Sequence, residues 1–103
     1  MKKLGFGLMR LPLQKGGDMT KVDIETMKTM VDTFISNGFT YFDTAYPYHG
    51  GMSEVAFRQA VAERYPRTAY TVTDKMPCWE VQREGDLQRL FNTQLERCGV
   101  EYF

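Results

Sequence analysis

The stretch Phe39-Thr40-Tyr41-Phe42-Asp43-Thr44-Ala45-Tyr46-Pro47-Tyr48-His49-Gly50-Gly51 changes character in mid-course. Its first four residues are aromatic or β-branched, the composition of a strand. An acid follows, then small, polar and turn-forming residues, the composition of a loop. Both flanks read as helices. Upstream, apolar residues recur at Ile24, Met27, Val31, Phe34 and Ile35, offsets of 3, 7, 10 and 11 that share one helix face. Val22–Asn37 is therefore expected to be helical, with Thr20 or Asp23 capping its start and Asn37-Gly38 stopping it. Downstream, a helix is expected from Ser53, whose hydroxyl suits an N-cap, through Val55, Ala56, Ala60 and Val61 to before Pro66.

The same alternation extends outward. Lys3–Met9 and Ala69–Thr73 are short apolar segments, and Gln82–Cys98 carries Leu87, Leu90, Phe91, Leu95 and Cys98 on one helical side before Gly99. Val100–Phe103 reads as a fourth strand just beginning. Strands alternating with helices imply right-handed crossovers and a parallel sheet, either an open doubly wound sheet or part of a βα barrel.

Composition removes several classes of function. Thirteen Lys and Arg balance 13 Asp and Glu over 103 residues, which argues against a nucleic-acid partner. The cations Lys2, Lys3, Arg10, Lys15 and Lys21 near the start read as a solvated strand and loop. Apolar residues form 43% of the chain, enough for a core, but no run approaches the ~20 needed to span a membrane. Met1-Lys2-Lys3 leads into Gly5, Gly7 and Arg10, unlike a signal peptide, so a cytoplasmic, single-domain protein is expected. Cys78 and Cys98 offer neither a disulfide framework nor a paired metal-ligand spacing. Gly5-x-Gly7 lacks the third glycine of a dinucleotide fingerprint, and Met27 and Met30 read as core filler. His49, the single histidine, reads as a polar loop residue.

Parallel α/β folds gather their reactive groups where strands hand over to the following loops. Gly7-Leu8-Met9-Arg10 follows the first strand, Asp43 to Gly51 the second, and Asp74-Lys75-Met76-Pro77 the third. Asp43, Tyr48 and Lys75 should thus meet on one rim. A phenol near pKa ~10 is a reluctant proton donor at neutral pH. An adjacent ammonium stabilises the phenolate, and a carboxylate holds that ammonium in place. The trio suits protonation of a carbonyl oxygen as hydride arrives at carbon. From spacing alone, a buried acid–lysine pair beside a packed tyrosine is the simpler reading.

The run Phe42-Asp43-Thr44-Ala45, Tyr48 five residues after the acid, and Gly51-Met52-Ser53-Glu54 resemble the aldo-keto reductases. Gly5-Phe6-Gly7, the placement of Lys75 and the ending Gln94-Leu95-Glu96-Arg97-Cys98-Gly99-Val100-Glu101-Tyr102-Phe103 are similar too. The wording from Tyr41 to Gly51 is similar to a bacterial branch whose longer members often carry a C-terminal iron–sulfur region. No iron–sulfur or other metal site is expected here. The resemblance implies the N-terminal portion of a (β/α)8 TIM barrel: three βα units plus the start of a fourth strand, about two fifths of a family member. It implies reduction of aldehydes or ketones with NADPH or NADH, with Tyr48 as general acid, Lys75 acidifying it, and Asp43 as partner to Lys75. Gly7, Leu8, Met9 and Arg10, with Asp43, would border the nicotinamide, and Met76 and Trp79 would line the substrate mouth.

The family's fourth catalytic residue, a histidine, and its pyrophosphate loops belong to the barrel beyond Phe103. The 103-residue chain is therefore expected to be a truncated barrel, inactive alone. Asp74 stands where Thr or Ser commonly precedes the lysine, and its carboxylate is placed to compete with Asp43. A partial barrel leaves open sheet edges and apolar inward faces, so self-association is expected. A non-catalytic, oligomerising α/β module that keeps the family pattern is the alternative.

Overall fold

The computed structural model describes residues 2–103. Three short strands, β1 (Gly5–Gly7), β2 (Tyr41–Asp43) and β3 (Thr71–Thr73), form one sheet in the order β1-β2-β3. Both pairings are parallel, with Gly5, Tyr41 and Thr71 in one rank and Gly7, Asp43 and Thr73 in another. Helix α1 (Ile24–Ser36) connects β1 to β2. Helix α2 (Met52–Phe57) runs on through a wider turn, Arg58–Ala62, before β3, and α3 (Asp86–Cys98) follows β3. Parallel neighbours need such crossovers.

Local chemistry sets the helix ends. Asp23 caps α1 by accepting from the Thr26 N–H at 3.1 Å. Gly38 and Gly99 follow α1 and α3 with φ of 86° and 70°. Ser53 does not cap α2; that position belongs to Gly51, and the buried Ser53 hydroxyl donates instead to the Leu8 carbonyl at 3.2 Å.

Alternation along the strands separates the two faces of the sheet. Phe6, Phe42 and Val72 turn toward the helices, where Met27, Val31 and Phe34 of α1 and Ala56 and Phe57 of α2 complete the core. Phe42 lies at its centre, fully buried, with the rings of Phe6, Phe34 and Phe57 at 5.5, 5.2 and 5.6 Å. The opposite face carries Gly5, Gly7, Tyr41, Asp43, Thr71 and Thr73. That face is polar rather than apolar, which corrects the expectation, and Tyr41 closes part of it by donating to the Thr73 hydroxyl at 2.9 Å.

Two further readings are corrected. Leu87 and Phe91 are exposed, because α3 buries the stripe Asp86, Leu90, Gln94 and Cys98 instead. Val100–Phe103 joins no ladder; Arg67 holds its backbone through the Tyr102 carbonyl at 3.0 Å. Among the described residues, no helix is long and apolar enough to cross a membrane.

Candidate functional site

Asp43 ends the central strand, in rank with Gly7 and Thr73. Main-chain bonds continue the sheet's order past the strands: Leu8 N–H donates to the Asp43 carbonyl at 2.9 Å, Thr44 N–H to Thr73 at 2.9 Å, and Tyr46 N–H to Lys75 at 3.2 Å. The Lys75 carbonyl also accepts from the buried Gln94 amide of α3 at 2.8 Å. These bonds fix the backbone from which Lys75 projects.

The Lys75 ammonium meets both oxygens of Asp43 at 2.9 Å and the Thr44 carbonyl at 3.0 Å. It lies 5.1 Å from the centroid of the Tyr48 ring. The three residues therefore meet on one rim. The pair is partly open to water, with side-chain exposures of 50% for Lys75 and 34% for Asp43. Its contribution to stability is accordingly small, ~0–1 kcal/mol, and its effect lies in position and charge. Partial burial works to lower the Lys75 pKa, but Asp43, with help from the Tyr48 hydroxyl, overcomes this and holds it above the ordinary lysine value. The amine stays protonated throughout the physiological range.

Tyr48 opens a tight turn, Tyr48–Gly51, in which His49, Gly50 and Gly51 all take positive φ: 55°, 62° and 92°. A Cβ on Gly50 would approach Thr20 Cγ2 to 2.9 Å, so this tight approach requires glycine. His49 is no ordinary loop residue. It is buried, its Nε2 accepts from the Leu11 N–H at 3.1 Å, and its Nδ1 faces the Met19 carbonyl at 2.7 Å. A neutral imidazole carrying its proton on Nδ1 satisfies both partners. Sequence reading missed His49 and Gln94 because their partners lie far along the chain; the two glycines after His49 were the one local signal.

The other expected site residues have different settings. Gly7 sits beside Asp43, and a Cβ added there would meet nothing within 4 Å. Met9 and Arg10 are exposed. Leu8 has its side chain fully buried in the core, and its N–H and carbonyl are engaged with Asp43 and Ser53. Met76 is half-buried beyond β3, and Trp79 stands exposed on a short helical turn, Cys78–Glu80.

Parallel strands alternating with helices, with an acid, a lysine and a tyrosine gathered past the strand ends, define part of a TIM-type βα barrel. The chain belongs to the aldo/keto reductase family, whose model matches residues 3–103. Two solved structures share the fold. One is the thermostable aldo-keto reductase Tm1743 with the inhibitor epalrestat, TM-score 0.70 at 24% identity over 99% of this chain and 36% of that one. The other is an aldo-keto reductase from Klebsiella pneumoniae with NADPH, TM-score 0.72 at 20% identity over 96% of this chain and 32% of that one. This chain thus spans about a third of the length of each. No curated protein matches it.

Proposed function

We propose that this chain supplies the proton-donating part of an NAD(P)H-dependent reductase of aldehydes or ketones, with Tyr48 as general acid. The observation that carries the reading is the Lys75 ammonium, bound by Asp43 at 2.9 Å and 5.1 Å from the Tyr48 ring centroid. As a carbonyl oxygen gains negative charge, the Tyr48 hydroxyl gives it a proton. The phenolate left behind is stabilised by the fixed positive charge of Lys75. Asp43 keeps that charge in place.

The open space over Gly7, in rank with Asp43, fits a flat ring lying against the strand ends. Gly7, Met9, Arg10 and Asp43 would hold the nicotinamide there, with Met76 and Trp79 toward the substrate. NADPH or NADH, when bound, supplies the hydride. The NADPH carried by the Klebsiella pneumoniae structure makes that cofactor the first to try. The unpaired Cys78 and Cys98 suit a reducing compartment, and a cytoplasmic setting is part of the proposal.

The test is titration with NADPH. This chain, extended past Phe103 through the rest of a family barrel, is expected to enhance nicotinamide fluorescence and to oxidise NADPH when an aldehyde is added. The 103-residue chain alone is expected to do neither. An extended protein that folds and fails both tests contradicts the reading.

Sheet edges support a second proposal, the self-association of this chain when prepared alone. Among the described residues, the outer edges of β1 and β3 are unpaired. Beside β1, Leu4, Phe6, Met30, Phe34 and Phe39 line an apolar groove. Light scattering is expected to give a mass above that of one chain; a uniform monomer would contradict it.

A further inference from the structure

Behind the rim, between the sheet and its helices, lies a second cluster of ionisable groups. Glu54 of α2 has no exposed side-chain surface. One of its oxygens accepts from Arg97 at 3.3 Å, and the other, Oε2, has no donor among the described residues. Asp74 lies against it: carboxylate oxygens of Glu54 and Asp74 and the Cys98 sulfur all fall within 4.8 Å of one another. Asp74 Oδ1 accepts from the Lys75 N–H at 2.8 Å, and Oδ2 faces Cys98 Sγ at 3.7 Å. Asp74 therefore turns inward, and the ion pair of Lys75 is with Asp43. This corrects the expected competition between the two acids.

Two ionised carboxylates in so dry a place, with Arg97 as the direct cation, would repel each other with little water to screen them. A proton on one of them removes the repulsion and supplies the missing donor. We propose that Glu54 is a neutral carboxylic acid donating to the Asp74 carboxylate, and that this bond keeps Asp74 away from the Lys75 ammonium. Asp74 and Glu54 are then positioning residues. Their bearing on catalysis rests on the role given to Lys75 above, whereas the proton itself does not.

Burial, with hydrogen bonding to Asp74 and its charge, pushes the Glu54 carboxyl up to about 9, against the pull of Arg97. The other groups facing the cluster are Cys98, whose thiol burial keeps protonated, Arg58 beyond α2, and Tyr46 under Arg97. A raised carboxyl stabilises the fold fully below its ordinary 4.5, and that stability is lost as pH rises toward about 9. The other shifted groups act outside this window: Asp18, Asp23, Asp32 and Asp86 below 3.8, and Cys98, Tyr65, Tyr70, Lys75, Arg64 and Arg89 at 9.0 or above.

Carbon-13 NMR of the protein is expected to find Glu54 still protonated at neutral pH. The melting temperature is expected to fall between weakly acidic and mildly alkaline pH. Glu54→Gln, which keeps a donor but has no proton to lose, is expected to flatten that fall. A Glu54 carboxyl ionised at neutral pH, an unchanged slope in Glu54→Gln, or zinc held stoichiometrically and lost in Cys98→Ser would each overturn the neutral acid. For the positioning, a crystal structure of Glu54→Ala is expected to show Asp74 swung toward Lys75, and Glu54→Gln to restore it. Asp74 unmoved in Glu54→Ala would overturn that part. Neither measurement needs turnover, so failure here is distinct from failure of the reductase assignment.

Discussion

Replacing Tyr48 with Phe in this chain extended through a complete family barrel is expected to lower kcat for NADPH-dependent aldehyde reduction by about 10²–10⁴-fold, the usual contribution of a positioned general acid. The substitution removes one oxygen and keeps the ring. The Phe ring can still lie beside Lys75, whose ammonium is 5.1 Å from the Tyr48 centroid, and Asp43 and Thr44 still hold that ammonium. Packing and cofactor contacts survive, so the melting temperature and the fluorescence response to NADPH should stay near those of the parent. A variant that keeps full turnover would show that the proton comes from elsewhere. One that loses NADPH binding as well would show that Tyr48 shapes the cofactor site.

Phe42→Ala is expected to destabilise the fold by about 3–5 kcal/mol, as large-to-small changes of buried aromatics do. Phe42 has no exposed surface, and four rings meet it: Phe6, Phe34, Phe57 and Tyr70, the last at 6.4 Å. These partners come from one strand, two helices and the approach to β3, so one truncation loosens every layer. Against a typical domain stability of ~5–15 kcal/mol this is a large share. Urea unfolding of parent and variant measures it, and a loss under ~1 kcal/mol would show that Phe42 is not the keystone of this core. Asp43 is the next residue, so partial loss of the site is expected to accompany loss of the core.

Much of this was legible in the sequence, for identifiable reasons. α1 was readable because Met27, Val31 and Phe34 recur at helical spacing between a capping Asp23 and Gly38, all local signals. Alternation of strand and helix gave the parallel sheet, and the rim trio followed from reading just past each strand. α3 was misread because apolar periodicity cannot detect polar residues buried with partners. Gln94 is buried because its amide serves the Lys75 carbonyl. Asp86 is buried because it accepts from Gln82 and Arg83 N–H at 3.0 Å and pairs with Arg89. The inward side chains of Leu8 and Asp74 were not legible for a related reason: position along a strand end fixes the rank of a residue, but packing decides whether its side chain faces the rim or the core. His49 needed partners 38 and 30 residues away.

The His49 imidazole has a mechanical consequence. It joins Leu11 and Met19, at the two arms of the segment after β1, to the turn that begins with Tyr48. That segment leaves the strand end where the nicotinamide is proposed to lie, and the turn bears Tyr48, the proposed proton donor. Yoked through one ring, the two cannot drift independently, so a ligand that quiets one also steadies the other.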